Sequence, residues 1–331
     1  MNTLVFTCGD INGIGPEICI KTINQIFAHR DKKIIFLCPS NAFEKASSVV
    51  FPSFSYKIVK DKLPLKMDNE FVTIFDIGNY LQETGRATKE SGKASYAALL
   101  KAFQLLKQKN ADAMITAPIS KSALKLAKIN FPGQTEILAK LSNAKKYLMV
   151  FLSNELICGL ATIHEPIANI SHSLKISSIK LSLQVLHNSL LVDLGIQSPR
   201  IAVLSLNPHA GESGNIGKEE LTIIKPALKS CRNILTDGPF VPDAFFGTKK
   251  YKDFDAFLGM YHDQVLIPFK LLNFNSGINF TAGLSIIRTS PDHGTGYEIA
   301  GKGLADPQSM VEAVNWAERI ISNRRKNQSA R

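Results

Sequence analysis

The stretch TLVFTCGDINGIGPEICIKTINQIFA, residues 3–28, decides the fold class. An apolar run, Thr3–Phe6, reads as a strand, leads into a glycine-rich turn, Thr7–Glu17, and passes into an amphipathic, helix-length segment, Pro16–Ala28. Gly9, Gly13 and Gly15 permit close backbone approach, and Pro16 suits the first turn of a helix whose N-terminus faces the loop. The glycine spacing is not GxGxxG, and taken alone a tight strand-to-helix turn explains it equally well.

The same alternation runs outward along the chain. Lys33–Cys38, Ala113–Thr116, Tyr147–Leu152 and Ile201–Leu206 read as strands, and Ser91–Gln108, Ile176–Gly195, Glu219–Asn233 and Pro307–Ser322 as helices. Strand and helix in turn predict an α/β fold, a mostly parallel sheet covered by helices on both faces. In the last helix Met310, Val311, Val314, Ala317 and Ile320 recur at three-to-four spacing, which lays it against the core. The polar, Gly- and Pro-containing signatures fall at the ends of the apolar runs. Ligands of open α/β sheets sit beyond the carboxyl ends of the strands, so one cleft built from many loops is expected.

With 331 residues, 45% of them hydrophobic, the chain is long enough for two lobes. No stretch approaches the roughly 20 uninterrupted apolar residues of a membrane span, and the opening has no basic region before an apolar one; a cytoplasmic location without membrane contact is expected. The five cysteines are scattered and never form Cys-x-x-Cys, which argues for small buried hydrophobes over disulfides. A net charge of +11 raises nucleic-acid binding, but the lysines are dispersed and the one dense cluster, Asn323–Arg331, reads as a solvated, frayed terminus. No nucleic-acid partner is expected; the positive field instead helps to draw in an anionic substrate.

Three histidines follow apolar runs in loop-like settings: His164 in GLATIHEPI, His209 in LSLNPHAGESG and His262 in FLGMYHDQVLIPFK. Three imidazoles would leave coordination positions open on a shared metal, although their wide spacing makes no local metal motif. His29, His172 and His187, in or beside helical stretches, illustrate the plainer case of histidines without special neighbours. In INFTAGLSIIRTSPDHGTGYEIAGKGLADP, residues 278–307, Arg288 ends an apolar run and is a natural bidentate partner for carboxylate or phosphate, with a polar turn at Asp292, Gly294, Thr295 and Gly296 just beyond. Asp243, in GPFVPDAFF, is a candidate proton acceptor or metal-shell carboxylate, and equally an ordinary loop aspartate.

The segment HGTGYEIAGKGLADP looks like the adenosine-binding loop of the β-decarboxylating dehydrogenases, the isocitrate and isopropylmalate enzymes. That resemblance implies NAD contacts at Asp292, His293, Gly294 and Glu298, with Glu298 on the ribose 2′-hydroxyl, where its charge favours NAD over NADP. GDINGIGPE, TAPISK, FPGQTE, NPHAGE, MYHDQ and NFTAGLSIIRTSPDHGT, in this order, resemble the 4-hydroxythreonine-4-phosphate dehydrogenase (PdxA) family of vitamin B6 biosynthesis from Thr7 to about Asp306. The resemblance implies a two-lobed architecture like that of the isocitrate and isopropylmalate dehydrogenases, with residues 1–135 and 275–331 in one lobe, 136–274 in the other and the active-site cleft between them. It makes His164, His209 and His262 ligands of a divalent metal (zinc, magnesium, cobalt or manganese). Thr135, Lys270, Asn279 and Arg288, with Gln134 beside them, become contacts to a small phosphorylated amino acid. It also implies a homodimer with a shared site, so the three histidines need not come from one chain.

The sequence departs from the family at Gln134, where histidine is usual, at Ile11–Asn12, and in SGNIGKEE after NPHAGE. The activity implied is NAD-dependent oxidation of a phosphorylated hydroxy-amino acid to a β-keto acid that then loses carbon dioxide. Gln134 keeps open a paralogous dehydrogenase of another hydroxy acid or diol. Three histidines with a phosphate-reading Arg and Lys also admit a metal-dependent phosphohydrolase, and a ligand-binding protein without turnover is a further alternative.

Overall fold

The computed structural model describes residues 1–28, 31–61 and 69–329. His29 and Arg331 lie outside the described residues. The strands are, in chain order, β1 Asn2–Thr7, β2 Lys32–Leu37, β3 Tyr56–Val59, β4 Val72–Phe75, β5 Ala113–Thr116, β6 Leu148–Leu152, β7 Ile157–Leu160, β8 Arg200–Leu204, β9 Leu235–Phe240, β10 Ala256–Gly259, β11 Ile278–Ala282 and β12 Arg288–Pro291. The chain divides into two compact units, one of Met1–Asn143 with Ser285–Ile321, the other of Ala144–Leu284 with Ser322–Arg331.

In the first unit β3, β4, β2, β1, β5 and β12 lie side by side in that order, and their pairings are parallel. The middle strands are apolar on both faces, as parallel strands under helices must be. Thr7–Glu17 forms the expected turn from β1 into a helix, Gly15–Ile26, with Pro16 in its first turn. The helix Lys89–Lys107 begins at a reciprocal cap: the Thr88 hydroxyl accepts from the Ser91 N–H while the Thr88 N–H donates to the Ser91 hydroxyl.

The second unit orders β11, β6, β7, β10, β8 and β9. Its last four strands pair in parallel, but β11–β6 and β6–β7 are antiparallel. Ser153–Leu156, the link from β6 to β7, is too short for a parallel crossover, and the Ser153 hydroxyl ties it by accepting from the N–H groups of Glu155 and Leu156. An aromatic core of Phe245, Phe257 and Phe269 packs beneath this sheet.

Two helices differ from the sequence expectation. Glu219–Asn233 is not one α-helix but a π-turn, Glu220–Ile224, leading into a short helix, Lys225–Lys229; Pro226 has no N–H to carry α-helical bonding backward. The last helix runs over Gln308–Ser329, so much of the expected frayed tail is ordered: Arg324 Nε donates to Asp193 Oδ1 at 2.6 Å and Asn323 Nδ2 to the Asp193 carbonyl at 2.9 Å. Met310, Val314, Ala317 and Ile320 are buried as expected, and the five cysteines are buried and none is in a disulfide. Among the described residues no helix is long and apolar enough to cross a membrane.

Candidate active site

In the first unit the special residues gather beyond the carboxyl ends of β1, β5 and β12, and Arg288, at the start of β12, reaches Thr116 at the end of β5. Arg288 opens β12 with 4% of its surface exposed. Its Nε donates to the Thr116 hydroxyl at 2.9 Å and its Nη2 to Gln134 Oε1 at 3.2 Å, while Gln134 Nε2 donates to the Ala117 carbonyl at 2.9 Å. Gln134 and Thr135 open the helix Gln134–Leu141 and are buried. A neutral amide therefore braces the guanidinium at the position where the resembled family has histidine. Burial pulls the Arg288 pKa down to about 10, and the Glu136 carboxylate opposes that shift. At neutral pH Arg288 stays a cation, a suitable anchor for a phosphate or carboxylate.

The loop beyond β12 carries Asp292, His293, Gly294 and Glu298. The Asp292 N–H donates to the Ser309 hydroxyl at 3.2 Å, and His293 Nδ1 to the Gly294 carbonyl at 3.1 Å. Glu298 is exposed in a single turn, Tyr297–Ile299. A side chain built on Gly294 would meet open space, so this part of the loop faces room for a ligand.

Two further groups here escaped the sequence reading. Asp10, fully buried, accepts from the Asn12 N–H, the Ser91 hydroxyl and the Tyr297 hydroxyl at 2.9, 3.1 and 2.8 Å. Burial raises its pKa, with those three hydrogen bonds opposing. Tyr297 is pushed up to about 12, by burial first and then by Asp10, and stays a hydroxyl donor at any physiological pH.

In the second unit the three histidines stand beyond the ends of three adjacent parallel strands: His164 after β7, His262 after β10 and His209 after β8. Gln264 ties two of the strand ends, accepting from the Met260 N–H and donating to the Ser205 carbonyl, both at 2.6 Å. The rings of His164 and His262 lie 5.8 Å apart, centroid to centroid, in a cavity of about 230 Å³ that Tyr261 and Asp263 also line. Asp263 Oδ1 is 2.7 Å from His262 Nδ1. A carboxylate only accepts, so Nδ1 carries a proton, and in the neutral ring Nε2 is the nitrogen with a lone pair to offer a cation. The signal for Asp263 was its place directly after the histidine in MYHDQ.

His209 does not join them: among the described residues, no group of three His, Cys, Asp or Glu side chains could hold a metal ion. Asp243, exposed in the first turn of Pro242–Gly247 after β9, makes no such group either. His209 instead starts a run of five left-handed residues, His209–Ser213, with φ between 42° and 76°. Each non-glycine member costs roughly 1–2 kcal/mol. Glu220, buried in the π-turn, holds the run's approach by accepting from the N–H groups of Leu206 and Asn207 at 2.8 and 2.7 Å and from Asn207 Nδ2 at 2.9 Å. Only glycine fits at 211, where a Cβ would come within 2.6 Å of both Glu220 Oε2 and the Gly217 carbonyl. Lys270 lies in the helix His262–Asn273 and Asn279 in β11, paired with Phe151.

An α/β chain with a buried arginine at one strand end and a glycine-rich loop beyond it has the fold of the isocitrate-type dehydrogenases. The isocitrate dehydrogenase of Methylococcus capsulatus superposes with a TM-score of 0.50 at 13% identity, over 99% of this chain and 88% of that one. The chain belongs to the family of the pyridoxal phosphate biosynthetic protein PdxA, whose model matches residues 29–317. It is 40% identical over 320 residues to the 4-hydroxythreonine-4-phosphate dehydrogenase of Sulfurihydrogenibium sp. strain YO3AOP1, covering 96% of this chain and 98% of that protein. The crystal structure of the 4-hydroxythreonine-4-phosphate dehydrogenase from Klebsiella pneumoniae matches with a TM-score of 0.83 at 31% identity, over 97% and 98% of the two chains.

Proposed function

We infer that the chain acts as a 4-hydroxythreonine-4-phosphate dehydrogenase of vitamin B6 biosynthesis. It oxidises 4-phosphohydroxy-L-threonine with NAD to 2-amino-3-oxo-4-(phosphooxy)butanoate, which decarboxylates to 3-amino-2-oxopropyl phosphate on the way to pyridoxal 5′-phosphate. The observation that carries the reading is kinship over almost the whole chain with dehydrogenases of that name. A cytoplasmic setting goes with it.

In this reading Arg288 and Lys270 take the substrate's anionic groups, and Thr135, Gln134 and Asn279 orient it by hydrogen bonds. The donor chemistry of the second unit fits a divalent cation in part, with His164 and His262 side by side and Asp263 fixing the tautomer of one. His209 completes the set from a second copy of the chain in a homodimer. A bound cation, zinc, magnesium, cobalt or manganese, would supply stabilisation of negative charge on the substrate oxygen. Bound NAD would serve as the hydride acceptor. Its adenosine half suits the open side of Gly294, with His293 and Asp292 beside it and Glu298 on the ribose. Asp243 is the proposed acceptor of the hydroxyl proton.

The test is NADH absorbance on mixing the protein with NAD, each metal in turn and 4-phosphohydroxy-L-threonine, beside EDTA and His209→Ala controls. NADH that needs the metal and vanishes in the variant is expected. Metal-loaded protein that forms none would sink the substrate and move the search to another hydroxy acid, or to phosphoester cleavage if phosphate appears without NAD.

A further inference from the structure

The loop 295–305 is fastened along the first helix, Gly15–Ile26, by side chains that no step above uses. Glu17, 3% exposed, accepts from two backbone N–H groups of the loop, Gly301 and, at 3.0 Å, Gly303. One turn on, Lys21 Nζ donates to the carbonyls of Gly303 and Ala305, both at 2.7 Å. Residues four apart share a helix face, so an anion and a cation on one face take the donors and the acceptors of a single segment. At the other end of the loop the Ile14 N–H donates to the Thr295 carbonyl at 2.9 Å, and Tyr297 donates to Asp10.

The fastened segment is costly to order. Gly296, Gly301 and Gly303 are left-handed, with φ of 54°, 77° and 65°. Glycines of that kind give a free loop many alternative shapes, and each ordered residue costs roughly 1–2 kcal/mol of backbone entropy. A ligand that must order the loop itself meets that cost on binding; one that finds it ordered does not. Charged groups binding backbone amides and carbonyls are among the stronger hydrogen bonds available for the purpose.

We propose that Glu17 and Lys21 are positioning residues that hold the 295–305 loop in its dinucleotide-binding shape before the dinucleotide arrives, so that they set the affinity for NAD and not the rate of the chemical step. The proposal rests on the reading of this loop as the adenosine site. Neither residue touches the dinucleotide; each acts through the loop backbone.

The experiment uses the full-length, metal-loaded protein and pairs kinetics with hydrogen–deuterium exchange of the peptide spanning 295–305, with and without NAD. In the unsubstituted protein NAD slows exchange of that peptide. Glu17→Gln sets an amide N–H against loop N–H groups, and Lys21→Met removes the carbonyl donor while keeping its apolar stem. Both variants exchange the peptide faster without NAD and raise KM for NAD about tenfold, the low end for a lost charged hydrogen bond. Both keep kcat within about twofold, and Lys21→Arg restores KM. If Glu17→Gln does not fold, Lys21→Met, at a half-buried position, carries the test. NAD protection in the unsubstituted protein with KM unmoved in the variants overturns the positioning role and leaves the adenosine site standing. No protection by NAD in the unsubstituted protein overturns the adenosine site and the proposal with it.

Discussion

Arg288 and the three histidines, the proposed anion and cation contacts, are set into the fold in opposite ways. The guanidinium is buried and braced by Thr116 and Gln134, so its position is a property of the core. His164 and His209 are exposed beyond strand ends and His262, half-buried, opens a helix, and only two of the three rings come together. An anion reader built into the core is preorganised at the cost of desolvating a charge. In the proposed reading the cation is met beyond the strand ends, at little cost to the fold for the exposed His164 and with backbone strain stored at His209, and the geometry is completed by what binds. Substitution at the first therefore disturbs folding and binding together, whereas substitution at the second disturbs metal binding alone.

The largest expected effect sharpens the contrast. His262→Ala lowers kcat/KM on the order of 10³-fold, the size of the several kcal/mol a catalytic metal supplies, and leaves the metal-free Tm within about 1 °C because the ring packs little. Metal affinity by dialysis and melting without metal check both halves. A Tm drop of several degrees would mean that the ring belongs to the core after all.

Arg288→Met comes next. It loses about 10²-fold in kcat/KM and also lowers Tm, since Gln134 Oε1 gives up a buried donor. Arg288→Lys restores little of the binding, because an ammonium cannot make the two directed bonds of the fork. Full activity in the lysine variant would show that charge alone is read there.

The same residue gives a pH limit. Arg288 is a base whose pKa falls from the ordinary arginine range in the unfolded chain to about 10 in the fold. Between those values the unfolded chain binds more protons, so this group's contribution to stability rises with pH across the window. Substrate binding runs the other way: KM is flat to about pH 9 and climbs about tenfold per pH unit above the folded pKa. Glu136→Gln moves the climb to lower pH, because Glu136 holds the arginine's pKa up. KM profiles of the two proteins decide it, and identical profiles would remove Glu136 from the account.

The α/β class was legible because strand and helix lengths alternate from residue 3 onward, and β5 has the very bounds its apolar run predicts. The antiparallel pair β6–β7 was harder, since its evidence is the length of one link and not a periodicity. The region 219–233 was misread because its apolar pattern is helical throughout, while Pro226 changes how the backbone pairs before it. Residue types at the site were visible; their assembly was not. Asp10 and Tyr297 stand 287 positions apart, and no local signal joins them. Nothing in His209, Ala210, Glu212 and Ser213 announces left-handed backbone, with only Gly211 as a hint.

The smallest expected effect probes how far that left-handed run is held ready. Glu220→Gln keeps one oxygen for the N–H groups of Leu206 and Asn207, but if it does, the new amide nitrogen faces Asn207 Nδ2, donor against donor. The cost is about 1–2 kcal/mol, a lowering of Tm by a few degrees. A loosened 206–217 segment lets His209 leave its strained conformation, and metal affinity falls about tenfold, at the low end for groups that orient a ligand. Melting and dialysis on one sample separate the two consequences. A lower Tm with unchanged metal affinity would mean that the run stabilises the strand end without presenting His209, and that His209, like His164 and His262, is placed by the cation it binds.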